Sequence, residues 1–303
     1  MINYILKARK DIYPNLSIRN IYNSLLFIFK CFLHFSTIAE FIKTIKMTHY
    51  SHILSVSPNV LGFVVWPYIH NQWPTKKRFE AISTHYQLLE KLPKYLGSAD
   101  ATPIQLIDLN HYSEKLYVVI DKPEWFIREG EITVNLFKND LRVMSIAFSF
   151  GYSEKGLTIF IGCVQGIHSG VSSAESLGIL KNLTKDLDGL RPRNLLIQVV
   201  QMIGLSVGVK AIRGISESNR QHRHRYFKQY LATISSANYD DIWLDIKGIK
   251  LEDGFFELPI NSKRRGLSDI SSNKRAQYRR RYLMLDNIKQ QISNLSKLQD
   301  KFS

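Results

Sequence analysis

The chain changes rhythm twice. Up to about residue 95, apolar residues recur three and four positions apart, the spacing of helices with one buried stripe. Two aromatic-rich runs fill the first half of this stretch. After the connection "VVWPYIHNQWPTKK" comes "KRFEAISTHYQLLEKL", with Phe79, Ile82, Tyr86 and Leu89 on one stripe and Pro93 as its stop. The period then drops to two. "TPIQLIDLN", "EKLYVVID", "GEITVNLFKND", "LRVMSIAFSFGY" and "GLTIFIGCVQG" are short, rich in β-branched and aromatic residues, and bounded by Gly, Asn-Asp or Pro. They predict an antiparallel meander with a hairpin turn at Lys138 to Asp140.

Helical periodicity returns in "SSAESLGILKNLTKDL" and "RPRNLLIQVVQMIGLSVG", followed by "VKAIRGIS" as a buried strand. The basic "ESNRQHRHRYFK" leads to "YDDIWLDIKGIKLEDGFFELPI", a helix or loop and then a strand. The tail "NKRAQYRRRYLMLDNIKQQISNLSKL" reads as a long helix with Tyr282, Leu285, Ile288, Ile292 and Leu295 on one face. This order predicts the α+β class. A helical N-terminal region (1–95) precedes a mixed, mainly antiparallel sheet flanked by helices (96–262), and a basic C-terminal helix (263–303) packs on that core. The middle region resembles the acyl-CoA N-acyltransferase (GNAT-like) fold, in which a strand meander feeds a helix whose N-terminus cradles a pyrophosphate.

Charge adds more than composition does. With 45% hydrophobic and 22% charged residues the 303-residue chain is ordinary for a globular protein, but its net charge is +15. That balance points to an anionic partner: nucleic acid, acidic lipid headgroups or a phosphorylated small molecule. Cys31 and Cys163 lie in apolar runs with no C-x-x-C pattern, which argues against a disulfide framework or structural zinc and fits a reducing cytoplasm. The start, "MINYILKARKDIYPNLSIRN", lacks the layout of a signal peptide. The most apolar run, Leu25 to Ile42, is interrupted by Lys30, His34 and Glu40, whereas a spanning helix needs about 20 mostly apolar residues. It reads as an amphipathic helix packed on the core, with peripheral contact at the inner membrane as the alternative. A cytoplasmic location without a transmembrane span is the expectation.

Candidate chemistry gathers around "TKDLDGLRPRN". A helix N-terminus exposes unpaired N–H groups and attracts phosphate, and Pro192 suits its first turn. Arg191 and Arg193 flank that proline, and Lys185 lies just upstream. Cations at this end are locally unfavourable, so they either clasp an anion against the helix amides or pair with Asp186 and Asp188. Gln165 and Gly166 end the "GCVQG" strand, where a glycine permits close backbone approach to a ligand or simply makes a turn. Gly204 and Gly208 read as helix–sheet packing and a helix end. His222 and His224, among arginines, read as a solvated basic face. Asp245 and Glu257 are available as bases, although a lone carboxylate is more often structural. No P-loop, G-x-S-x-G, H-E-x-x-H or G-x-G-x-x-G motif occurs, and the catalytic residues stay unassigned. From Lys210 onward 19 Lys or Arg face 10 Asp or Glu, a net +9, and "KRAQYRRRY" interleaves arginine with tyrosine in a way that suits nucleic acid.

"GCVQG", "TKDLDGLRPRNLL", "IRGIS", "YDDIW", "DGFFELP" and "KRAQYRRRY" occur in the order seen in the VirK/YbjX family of bacterial proteins, which the chain resembles from near residue 76 to its C-terminus. The resemblance implies a role in virulence and envelope physiology, including display of surface virulence proteins and tolerance of cationic antimicrobial peptides. It brings no catalytic residues with it. Asp245 stands where the family pattern has glutamate. The GNAT-like phosphate loop normally reads Gln/Arg-x-x-Gly-x-Gly/Ala, whereas "LDGLRPRN" has one glycine and a proline that removes a donor. Three readings follow. The first is a virulence accessory factor with an anion-binding GNAT-like pocket. The second is an acyltransferase using an acyl-CoA or acyl-carrier donor on an envelope component. The third is a basic nucleic-acid-binding post-transcriptional regulator.

Overall fold

The computed structural model describes residues 1–15, 17–97, 102–167, 170–227 and 237–300. The N-terminal periodicity becomes helices α1 (Ile2–Ile12), α2 (Ile18–Leu33), α3 (Phe35–Lys46) and α4 (Ile53–Val56), a 3-10 segment Pro58–Val64, then α5 (Thr75–Leu89) and α6 (Lys94–Gly97). Ser17 starts α2 by accepting the Asn20 N–H at 3.3 Å, a side-chain N-cap. The α5 stripe of Phe79, Ile82, Tyr86 and Leu89 is buried, and Phe41 of α3 packs against Phe79 with ring centroids 4.9 Å apart.

Strands β1 (Ile104–Asp108), β2 (Leu116–Asp121), β3 (Ile132–Lys138), β4 (Leu141–Ser153) and β5 (Gly156–Gln165) form the expected meander. The hairpin between β3 and β4 turns on Asn139 and Asp140, at φ 50° and 62°, the left-handed pair that a two-residue turn of the right twist demands. Then α7 (Ser173–Asp186) and α8 (Pro192–Ser206) cross over to β6 (Ala211–Ile215), and α9 (Tyr239–Asp245) leads to β7 (Ile249–Lys250) and β8 (Phe255–Leu258). The eight-stranded sheet has the order β1-β2-β3-β4-β5-β6-β8-β7, and β5–β6 is its parallel pair.

Neighbouring residues of β5 show how the sheet is covered. A Cβ at Gly204 of α8 would lie 3.1 Å from Ile159 Cδ1, so the glycine lets α8 lie close on one face. Phe160, pointing the other way, meets Trp73 from the N-terminal helical layer. The final helix, α10 (Ser272–Asp300), packs on α8 and β1 through buried Met284, Leu285, Ile288 and Ile292. One continuous cluster of buried side chains runs from Ala8 of α1 to Ile292 of α10.

The most apolar run, Leu25 to Ile42, is divided between α2 and α3, and α2 is amphipathic. α2 buries only Ser24, Phe27 and Cys31, while large apolar residues on its other side stand in solvent. Core packing therefore accounts for half of this helix. Among the described residues no single helix is long and apolar enough to cross a membrane, and the α2–α3 pair that passes on length and composition is bent by 81°.

Candidate functional site

The two strands of the parallel pair do not stay together. β5 and β6 are in register from Thr158–Ala211 to Ile161–Gly214, after which β5 continues to Gln165 paired, among the described residues, with β4 alone. The bare edge is filled from α9. Tyr239 Oη accepts the Val164 N–H at 2.7 Å and donates to the Val164 carbonyl at 2.9 Å, lying 3.6 Å from Cys163 Sγ. One turn on, Trp243 donates its indole N–H to the Ile215 carbonyl at 2.7 Å. Gly214 makes room for this ring, since a Cβ there would fall 2.6 Å from Trp243 Cε2.

At the β5 side of the parting sits Glu129, in the loop leading to β3. Two glycines press this loop flat: a Cβ at Gly130 would lie 2.5 Å from Phe148 N, and one at Gly162 would lie 2.9 Å from the Glu129 carbonyl carbon. Gln221 Nε2 donates to Glu129 Oε1 at 3.1 Å. Burial pushes the Glu129 carboxyl up to about 7, against the opposing pull of the Gln221 hydrogen bond and the Arg220 and Arg128 guanidiniums. Arg220 lies over the Tyr239 ring, its guanidinium carbon 3.7 Å from the centroid, and pairs with Glu217 at 3.1 Å. Burial also drives the Cys163 thiol and the Tyr239 hydroxyl far above their usual ranges, so both stay protonated. A carboxyl that titrates near neutrality beside hydrogen-bonding groups can accept or give a proton at working pH.

The residues singled out from sequence fall around the same end of the sheet, though not as one constellation. Arg191 is the N-cap of α8 and Arg193 lies in its first turn, and both reach Asp245 at the end of α9, at 3.9 Å and 2.9 Å. The expected pairing with Asp186 and Asp188 is thus corrected. Asp186 accepts the Ser113 hydroxyl, and Asp188 is held by Arg280 of α10 at 2.7 Å. Two guanidiniums share one half-exposed carboxylate, so the pair keeps a net positive charge at the α8 N-terminus. Lys185 is exposed in the last turn of α7. Gln165 ends β5 opposite Ser145 with its side chain outward. At Gly166 a Cβ meets no protein atom within 4 Å, so packing within the fold does not require a glycine there.

Other expectations shift as well. His222 is buried rather than solvated, and burial first, then Arg220 and Arg223, lowers it to about 4. Glu257 is ion-paired with Lys155. The arginines of "KRAQYRRRY" are partly spent on anchoring α10: Arg280 and Arg281 both bond Asp188, and Arg281 lies over Tyr278. Lys228, at the end of the basic stretch, lies outside the described residues. On the α5 face, below the paired part of β5 and β6, a cavity of about 570 Å³ is walled by Trp73, Phe160 and Phe255. Lys77, Glu80 and Arg213 also line it, the Arg213 guanidinium held by Asp253 at 2.8 Å and by Glu154, so aromatic rings and paired charges share its wall.

Residues 17–294 match the family described as "Protein of unknown function (DUF535)". The chain belongs to this family. It is 27% identical over 239 residues to "Uncharacterized protein YbjX" of Escherichia coli (strain K12), which covers 76% of this chain and 69% of that protein. An "Uncharacterized protein" of Haemophilus influenzae is 26% identical over 236 residues, covering 77% and 76% of the two chains. YbjX belongs to the VirK/YbjX family, so the motif-based resemblance and the DUF535 match lead to the same relatives. No solved structure matches the chain.

Glu129 was the residue that sequence reasoning missed. Its signal was slight: "REGE" sets two carboxylates about a glycine just before a strand. Tyr239 stood inside a quoted motif, yet nothing local marks its hydroxyl as the cap of a strand 75 residues away.

Proposed function

We propose that this DUF535 member is an envelope-related accessory protein of the VirK/YbjX kind, binding a phosphorylated ligand where β5 and β6 part. The observation that carries the reading is the end of the parallel pairing: β5 runs on past its last β6 partner, with Val164 main-chain groups held by a side chain instead of a strand. A meander, a crossover helix, a parallel strand and an antiparallel return are the parts of a GNAT-like core, and in open sheets ligands favour such strand ends. The missing glycine loop means that Arg191, Arg193 and the α8 amides must supply the anion contacts, in competition with Asp245. The virulence role and the tolerance of cationic peptides rest on the family resemblance.

Glu129 favours a second reading, acyl transfer to an envelope component. With its carboxyl near neutrality it takes the proton from an attacking amine or hydroxyl. That group forms a bond to the carbonyl carbon of an acyl thioester, the carbon–sulfur bond breaks, and the thiol leaves with a proton. The aromatic part of the recess, at Trp73, Phe160 and Phe255, offers a place for an acyl chain.

Thermal-shift titration with coenzyme A, acyl-CoA and inorganic pyrophosphate tests the first reading. Wild type is stabilised, Arg191→Ala with Arg193→Ala loses about tenfold or more in affinity, and Asp245→Asn gains affinity. No shift with any of these anions, or a shift indifferent to the arginines, rejects the site. Release of free thiol from acyl-CoA tests the second reading. Glu129→Gln abolishes it while leaving the binding shift intact; binding without thiol release leaves an accessory binder and rejects the enzyme.

A further inference from the structure

We infer that the outer face of α2 is a docking surface for an anionic lipid bilayer. Ile18, Tyr22, Leu25, Phe29 and Phe32 follow one another at four- and three-residue intervals, with Leu33 beside them, so they share one side of the helix. Each of the six is more than 60% exposed. The reverse side, Ser24, Phe27 and Cys31, is buried against the body of the protein, which fixes the apolar stripe outward. Exposed apolar residues scattered singly need no explanation, but a continuous stripe marks a contact surface.

Charge chooses the occupant. Residues 1–46 carry seven Lys or Arg against Asp11 and Glu40, a net +5 concentrated on the same helical layer. An apolar stripe on a layer of net positive charge matches a bilayer, whose acyl region takes the rings while anionic headgroups meet the cations of that layer, Arg9 excepted, which turns to the buried side and bonds Ser24 Oγ at 2.7 Å. The helix lies on the bilayer and does not cross it. α3, needed to complete a span, is bent 81° away, with Ile38, Phe41 and Ile45 built into the core. This surface lies on a different layer from the β5–β6 parting, and neither idea depends on the other.

Flotation of the full chain tests it, using vesicles of phosphatidylethanolamine with phosphatidylglycerol and, separately, phosphatidylcholine alone. The protein floats with the anionic vesicles, is released in part by salt, and floats weakly with phosphatidylcholine. Phe29→Glu with Phe32→Glu lowers partition by about tenfold or more, and Lys10→Glu with Lys43→Glu lowers it on anionic vesicles only. Trp125→Ser, which removes an equally exposed ring elsewhere, changes nothing. Circular dichroism checks that each variant is folded. The inference fails if wild type stays at the bottom of the gradient, or if the folded α2 variants float as wild type does. It fails equally if light scattering shows a dimer that Phe29→Glu with Phe32→Glu dissolves, because the stripe is then covered by a second copy.

Discussion

Glu129 and Glu131 stand two residues apart and titrate in opposite senses. Burial acts to raise both. At Glu131 the Lys122 ammonium at 2.7 Å, with His85 and the Tyr86 hydroxyl, outweighs it and holds the carboxyl below its usual range. At Glu129 the opposing groups are weaker and the carboxyl rises to about 7. The folded protein therefore binds the Glu129 proton more tightly than the unfolded chain does. Its contribution to stability is whole below the unfolded value of 4.5 and is lost as pH climbs through about 7. Glu131 works the other way, its contribution fading as pH falls below 4.5. Denaturant unfolding across this range is expected to show that Glu129→Gln removes a loss on the order of 2 kcal/mol, allowing for partial solvent access. Lys122→Met strands the buried Glu131 charge and costs about 3–5 kcal/mol, much of which Glu131→Gln recovers in the double variant. None of this was legible in "REGE". Which carboxylate meets a lysine and which meets Gln221 depends on strands and turns up to 92 residues away.

Among elements, two side chains do the work of missing strands. Tyr239 satisfies both main-chain groups of Val164 where β6 has turned off. On the far edge, Gln291 of α10 accepts the Asp108 N–H at 2.8 Å and donates to the Asp108 carbonyl at 3.0 Å. Tyr239→Phe leaves a buried N–H and C=O unpaired, a cost of about 1–3 kcal/mol measurable by chemical denaturation. Two glycines of one motif are expected to separate cleanly. Gly162→Ala drives a methyl into the Glu129 backbone and loses about 2 kcal/mol or more, whereas Gly166→Ala meets open space and stays within about 0.5 kcal/mol of wild type. The alternation "GLTIFIGCVQG" revealed the strand because period two is local. It could not reveal which glycine is indispensable, since the backbone that fills the space comes from another loop.

Across the whole molecule, helices and meander were legible wherever one periodic face meets the core. The α5 stripe and the face of α10 are buried as their spacing requires. α2 was legible as an amphipathic helix but what its outer side meets was not, because hydrophobicity gives the same pattern whether a helix faces protein or lipid. The arginines around Pro192 were found by their place at a helix start, but their carboxylate partner lies 52 residues beyond Arg193 and not in the adjacent turn.

The fastening of β1 by Gln291 also sets a clock on synthesis. The two partners are 183 residues apart, which at cellular rates of translation separates their emergence by roughly 10–40 s. Through that interval β1 is an uncapped strand edge, open to pairing with another nascent chain. Messages truncated before α10 should therefore yield insoluble product even though every strand of the sheet has been made.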